Sequence, residues 1–265
     1  MNSIDYINKI RRDLNISSNF ILKTLSIYFD RDIIDIKIKN FDISKKDLYN
    51  LNKIFLEDYP IEYIKNTALF LGKEYYVDEN VLIPRVETED LVILAEKIIN
   101  ENNFGTLLDL ATGSGVIAIS LKIKNPNLIV YASDISEKAL GVAQKNALKH
   151  NVEIDFLKSD IFEDMQDKME IFDFIVSNPP YVEEMSPYIN SSIKHEPKKA
   201  LFSGKDGQDF FRKLIQYRSI LKNKTLLFET TEFNYRKTKN ILSNLGKTEI
   251  FKDSFGKYRF ILVNT

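Results

Sequence analysis

Apolar residues recur at helical spacing through the first quarter of the chain: Ile4, Ile7, Ile10 and Leu14, then Phe20, Ile21, Leu25 and Tyr28. One face of each segment is therefore oily, as helices packed on one another require. Ser17 or Ser18 can cap the second helix, and Ser44 with Asp47 three residues on can cap a later one carrying Leu48, Leu51, Ile54 and Phe55. No glycine precedes Gly72, so the region reads as a small helical bundle that Pro60 ends. Residues 70–77 and 81–83 then read as two short strands of a hairpin, and Pro84 stops the second. A helix over 88–100 follows, with Leu91, Leu94, Ala95 and Ile98 on one face.

After Gly105 the period alternates. Strands are expected at 106–110, 129–133, 153–158, 172–177 and 225–229, with helices at 116–124, 137–150 and 209–221 between them. The tail adds a helix at 234–245 and strands at 248–252 and 258–263. Alternation of this kind predicts an α/β fold with a mainly parallel sheet covered on both faces. Ligands of such sheets sit at the carboxyl ends of the strands.

Composition narrows the chemistry. The 265 residues suit one large domain, or one ordinary domain with a small accessory one. Lys and Arg total 37 against 38 for Asp and Glu, a balance that argues against a general nucleic-acid binder. There is no cysteine, which excludes disulfides, thiolate metal sites and cysteine nucleophiles. His150 and His195 are the only imidazoles and have no ligand-like spacing to carboxylates, so no metal is expected. No signal peptide or membrane-length apolar run is visible, so a cytoplasmic protein is expected.

Four strand ends carry candidate chemistry. The first runs into Asp109-Leu110-Ala111-Thr112-Gly113-Ser114-Gly115, where glycines let the backbone turn tightly and approach a ligand. Gly113, Gly115 and Ala118 also fit the dinucleotide pattern G-x-G-x-x-A. The second ends at Asp134, a carboxylate placed to accept from both hydroxyls of a ribose, or to serve at the start of the next helix. The third leads to Asp160, a candidate acceptor for an adenine amino group, and Ile161, a candidate for packing on the base. The fourth ends in Asn178-Pro179-Pro180-Tyr181. Two prolines stiffen this loop and donate nothing, so the Asn178 side chain and the Pro179 carbonyl are available as acceptors for an NH2 group, with Tyr181 as a flat surface beside it.

With these motifs in place, the chain resembles the Rossmann-like class I methyltransferases, and among them the release-factor glutamine methyltransferases of the PrmC/HemK type. The resemblance spans nearly the whole chain. It rests on residues 60–64, on Leu82-Ile83-Pro84-Arg85-Val86-Glu87-Thr88-Glu89, on residues 109–115, Asp134, Asp160 and 178–181, and on residues 196–201 and 204–207. It implies residues 1–66 as a helical substrate-recognition domain, 67–86 as a hairpin linker and 87–265 as a class I methyltransferase domain. The implied cofactor is S-adenosyl-L-methionine, held by Ala111, Thr112, Gly113, Ser114, Gly115, Asp134, Asp160, Ile161 and Asn178. The implied substrate is the glutamine of the Gly-Gly-Gln motif in peptide-chain release factors, bound at Asn178, Pro179, Pro180 and Tyr181. Asn178, Pro179 and Tyr181 are the catalytic set, and a monomer touching neither membrane nor nucleic acid directly is expected.

Two departures from the family pattern stand out. Ala111 occupies a position that is usually glycine, which is expected to work only if that residue keeps a negative φ. After the last parallel strand a usual glycine is replaced in Glu229-Thr230-Thr231-Glu232. Three other readings compete: N6-adenine or N2-guanine methylation, whose exocyclic amines make the same demand on the acceptor motif; a nicotinamide oxidoreductase, which leaves residues 178–181 unexplained; and a catalytically dead binding protein, hinted at only by Ala111.

Overall fold

The computed structural model describes residues 1–185 and 191–265. They form two compact units, Met1–Asn66 and Thr67–Thr265.

The first unit is entirely helical, with α1 (Ser3–Leu14), α2 (Ser18–Phe29), α3 (Ile33–Ile38), α4 (Lys45–Glu57) and α5 (Ile61–Lys65). Its helices start where side chains satisfy orphan N–H groups. Ser17 Oγ accepts from Phe20 N at 3.3 Å, and Ser44 Oγ accepts from Asp47 N at 3.1 Å. The oily faces meet in a core built on Tyr6, Ile10, Ile21, Leu25, Ile36, Leu51 and Phe55. Pro60 does not end the helical region. It stands just before α5, where a fixed φ and a missing N–H suit a helix start, whereas α4 stops at Asp58 in left-handed geometry.

The second unit opens on a hairpin of β1 (Ala68–Phe70) and β2 (Lys73–Tyr75). The expected strand over 70–77 is broken by its own turn, because Leu71 and Gly72 take φ of 47° and 70° and reverse the chain in two residues. Residues 81–83 are not a strand. The Ile83 N–H is instead taken by the Glu196 carboxylate at 3.1 Å.

Then come α6 (Val86–Asn102), β3 (Thr106–Leu110), α7 (Val116–Lys124), β4 (Ile129–Asp134), α8 (Glu137–Lys149), β5 (Asp155–Lys158) and β6 (Phe174–Ser177). They are followed by α9 (Lys198–Leu201), α10 (Asp209–Leu214), β7 (Thr225–Glu229), α11 (Tyr235–Leu242), β8 (Lys247–Lys252) and β9 (Tyr258–Asn264). The helix expected over 209–221 is shorter, giving way after Leu214 to a 3-10 turn at Ile215–Tyr217.

Seven strands form one sheet in the order β5-β4-β3-β6-β7-β9-β8. The first five are parallel, and β9 runs antiparallel to both of its neighbours. Side-chain alternation divides the core. Leu107, Val130, Phe174, Val176 and Leu227 join Leu91 and Val92 of α6 and Ile117 of α7. Leu108, Ile175, Leu226 and Phe228 join Phe211 of α10 and Leu242 of α11 on the opposite face. The parallel connections run outward in both directions from β3 and β6. Their carboxyl ends therefore diverge at this point, which opens the crevice that such sheets use for ligands.

Candidate active site

A cavity of about 620 Å³ lies at that crevice. It is lined by Ala111, Thr112, Gly113 and Ser114 after β3, by Asp134, Ile135 and Ser136 after β4, and by Ser159, Asp160 and Ile161 after β5. Asn178 and Pro180 line it after β6. Four loops far apart in sequence are thus brought together by strand order alone.

The loop after β3 is braced from below by Asp109, which is fully buried. Its Oδ2 accepts from Thr112 Oγ1 at 2.6 Å and from Ala118 N at 3.1 Å, while its Oδ1 has no partner among the described residues. Burial pushes the Asp109 carboxyl up to about 7, against the pull of these two donors. Asp134 stitches the same loop to the next: Oδ2 accepts from Gly113 N at 3.0 Å and Oδ1 from Ser136 N at 2.9 Å. The side chain that caps α8 is Ser136, which accepts from Ala139 N at 3.3 Å. Burial also raises the Asp134 carboxyl, and the backbone donors from Ser136 and Gly113 oppose it.

Gly113 sits at φ 54°, and a Cβ placed there meets no atom within 4 Å. Gly115 is different. It caps α7 at φ 82° and is not among the lining residues; a Cβ there would stand 3.0 Å from that of Ala143. Its glycine lets α7 pack closely against α8.

Ala111 overturns an expectation. Its φ is 60°, in the left-handed region where Cβ crowds the following carbonyl, so it does not keep the negative φ an alanine prefers. The usual glycine at this position is thereby explained, and Ala111 holds strain. Ile161 is held in the same region at φ 58°, a rare conformation for a β-branched residue, and is pinned by burial in the core. Ala111→Gly removes roughly 1–2 kcal/mol of crowding against about 0.4–1 kcal/mol from a freer unfolded chain. The Tm is therefore expected to rise by about 1–3 °C in a melting experiment; a fall would mean that the alanine is unstrained.

At the β6 end, Asn178 Nδ2 donates to Thr88 Oγ1 at 3.0 Å. Thr88, buried in the first turn of α6, donates to Glu229 Oε2 at 2.9 Å, and the Tyr181 hydroxyl donates to Glu229 Oε1 at 2.8 Å. Glu229 ends β7 and is almost fully buried; burial pushes its carboxyl up to about 7 against these donors. Burial, with the nearby Glu229, likewise raises the Tyr181 hydroxyl well above its ordinary value. Pro179 is buried, and neither it nor Tyr181 lines the cavity, whereas Pro180 does. The half-buried Tyr181 ring packs on the core formed by Leu108 and Phe228.

The segments quoted for the family resemblance act as braces. Glu196, buried, accepts from Arg85 Nη2 at 2.5 Å and Ile83 N at 3.1 Å, tying residues 83–85 to the rim. Val182 N donates to Leu201 O at 2.8 Å and Ser203 N to Val182 O at 3.0 Å, fixing the chain beyond Tyr181. Gly207, at φ 71°, lets its loop approach the Tyr181 carbonyl, which a Cβ would meet at 2.3 Å. After β7 the missing glycine is replaced by threonine contacts. Thr230 Oγ1 lies 3.0 Å from Thr238 Oγ1, and Thr231 Oγ1 accepts from Asn234 N at 3.1 Å.

Asp160 lines the cavity, but its Oδ2 is shared with Lys213 Nζ at 2.7 Å. Lys213, Phe202 and Phe210 also reach the cavity and were not expected from sequence. Thr88 and Glu229 carry no role that the sequence alone predicts. Their only signal was a buried-type polar residue at a helix start and at a strand end, which ordinary caps also produce.

A family model described as the methyltransferase small domain matches residues 91–243. A release factor glutamine methyltransferase of Flavobacterium psychrophilum is 40% identical, over 87% of this chain and 83% of that relative. One from Dictyoglomus turgidum is 34% identical, over 91% of this chain and 83% of the relative. Among solved structures, the N-terminal domain of human METTL16 in complex with SAH superposes with a TM-score of 0.53 at 16% identity. The match covers 72% of this chain and 75% of that one, a likeness of fold.

Proposed function

The chain belongs to the release factor glutamine methyltransferase family, and from that premise we propose that it methylates the side-chain amide nitrogen of the glutamine in the Gly-Gly-Gln motif of peptide-chain release factors. The methyl donor is S-adenosyl-L-methionine, which when bound supplies an activated methyl on a sulfonium. The cavity suits such a group: it offers the Asp134 carboxylate, the open face of Gly113 and an apolar wall at Ile135 and Ile161. Ala111, Thr112, Gly113 and Ser114 would hold its amino-acid part, Asp134 its ribose, and Asp160 with Ile161 its base.

An amide nitrogen is a weak nucleophile because its lone pair is delocalised into the carbonyl. Orientation therefore matters more than covalent help. Asn178 Oδ1 accepts from the substrate NH2 and holds its nitrogen in line with the methyl group, on a loop stiffened by the buried Pro179. Negative acceptor ends also stabilise the positive charge that develops on that nitrogen. The observation that carries this reading is the Asn178 amide, tethered through Nδ2 to Thr88 at the cavity edge with no described residue donating to its Oδ1. Tyr181 serves by stiffening the loop through Glu229.

Recognition of the whole protein substrate falls to the helical unit Met1–Asn66, because every strand-end motif lies in the other unit. Among the described residues no helix is long and apolar enough to cross a membrane, and a substrate of the translation machinery puts the reaction in the cytoplasm.

The test offers the purified chain methyl-labelled S-adenosylmethionine with release factor, DNA or RNA. Label is expected on release factor alone, and label on nucleic acid with release factor untouched would overturn the assignment.

A further inference from the structure

We propose that Thr88 and Glu229 are positioning residues that decide which end of the Asn178 amide faces the substrate, an inference that rests on glutamine being the methyl acceptor. The two ends of an asparagine amide have nearly the same size, so packing cannot choose between them and hydrogen bonds must. Here the choice is forced along a chain of donors. Glu229 is 1% exposed, and its two oxygens take the Tyr181 hydroxyl at 2.8 Å and the Thr88 hydroxyl at 2.9 Å. An ionised carboxylate only accepts, so the single Thr88 proton must point to Glu229. Thr88 then offers a lone pair to its other neighbour, 3.0 Å away, and Asn178 must bring Nδ2 to it. Oδ1 is left to accept from an incoming NH2.

Reversed polarity would set the Asn178 NH2 against the substrate NH2. Two donors face to face repel, and the nitrogen to be methylated loses its orientation. Selection of an amide over a carboxylate thus begins at Glu229, a residue that does not line the cavity.

A proton on Glu229 removes the constraint. The neutral acid can donate to Thr88, which frees the Thr88 proton to turn to Asn178 and admits the flipped amide. The charged and titratable groups facing Glu229 are Arg259 of β9, which is itself held by Asp253 at 2.8 Å, Glu87 of α6, and the Tyr181 hydroxyl. Burial, the largest influence, and Glu87 favour the acid, whereas the Tyr181 and Thr88 hydroxyl donors and Arg259 favour the carboxylate. The carboxyl accordingly titrates near 7, so the acceptor-forward state fills as pH rises through that value.

The experiment measures kcat for release factor at saturating S-adenosylmethionine, on both sides of pH 7, for wild type, Thr88→Val, Thr88→Ser and Glu229→Gln. Wild-type kcat is expected to fall on the acid side of about 7. Thr88→Val is expected to be about 10²-fold slower and to lose that acid limb, with the KM for S-adenosylmethionine unchanged. Thr88→Ser, which keeps the hydroxyl, restores both rate and limb. Glu229→Gln, nearly isosteric and unable to titrate, loses the limb whatever its rate, and so decides the matter even if the valine variant fails to fold. An acid limb that persists in Glu229→Gln, or a Thr88→Val enzyme with wild-type kcat, overturns the inference while leaving glutamine as the substrate. A wild type that does not methylate release factor overturns the functional reading itself.

Discussion

Replacing Asn178 with alanine is expected to lower kcat for release factor by about 10²–10³-fold, the scale on which enzymes lose rate when one preorganised electrostatic partner is removed. The affinity for S-adenosylmethionine should change far less. The reasoning follows from where Asn178 stands. Its Nδ2 is spent on Thr88, and none of the Asp109 and Asp134 bonds that shape the cofactor loop passes through it. Loss of Oδ1 therefore removes orientation of the nucleophile, an interaction that matters most as nitrogen, carbon and sulfur come into line. Such a loss appears in kcat and kcat/KM together, with the cofactor dissociation constant as the control. Equal loss of cofactor binding and turnover would place Asn178 in the cofactor pocket instead.

Asp134→Ala has the opposite signature. The carboxylate already accepts from Gly113 N and Ser136 N, and its remaining lone pairs face the cavity where a ribose would lie. Removing it deletes a charge-assisted acceptor of about 1.5–3 kcal/mol, roughly a 10- to 150-fold weaker Kd for S-adenosylmethionine. It also releases the Gly113 loop, so the true effect should lie toward the upper end. Titration calorimetry checks it directly. Unchanged affinity in a folded variant would remove Asp134 from the cofactor site.

How much of this was legible in the sequence depends on the range of the interaction. The parallel strands were readable because residues such as Leu107 and Leu108 form apolar runs bounded by turn residues, and the four strand-end loops followed from strand order. The hairpin turn was misplaced because Tyr75, Tyr76 and Val77 are good strand formers, and only the paired positive φ of Leu71 and Gly72 shows where the chain reverses. Ala111 was read as workable only at negative φ, yet the neighbouring loop holds it in left-handed geometry, with Thr112 N donating to Ser133 O at 2.9 Å. Tyr181 was read only as a flat surface beside the amide; nothing local in the sequence shows that its hydroxyl is claimed by a carboxylate 48 residues away. The link from Thr88 to Glu229 spans 141 residues and leaves no periodic trace, so it becomes visible only when the sheet brings β7 beside α6.

The central claim is that this site holds an amide nitrogen of a release factor for methylation. Mass spectrometry of a release factor incubated with the chain and S-adenosylmethionine tests it most directly. The predicted result is one added methyl on the glutamine of the Gly-Gly-Gln motif, and none on a release factor carrying glutamic acid there, because a carboxylate brings no NH2 to the acceptor and is repelled by it. A methyl group found on any other residue, or an equal yield from the glutamic acid form, would contradict the account.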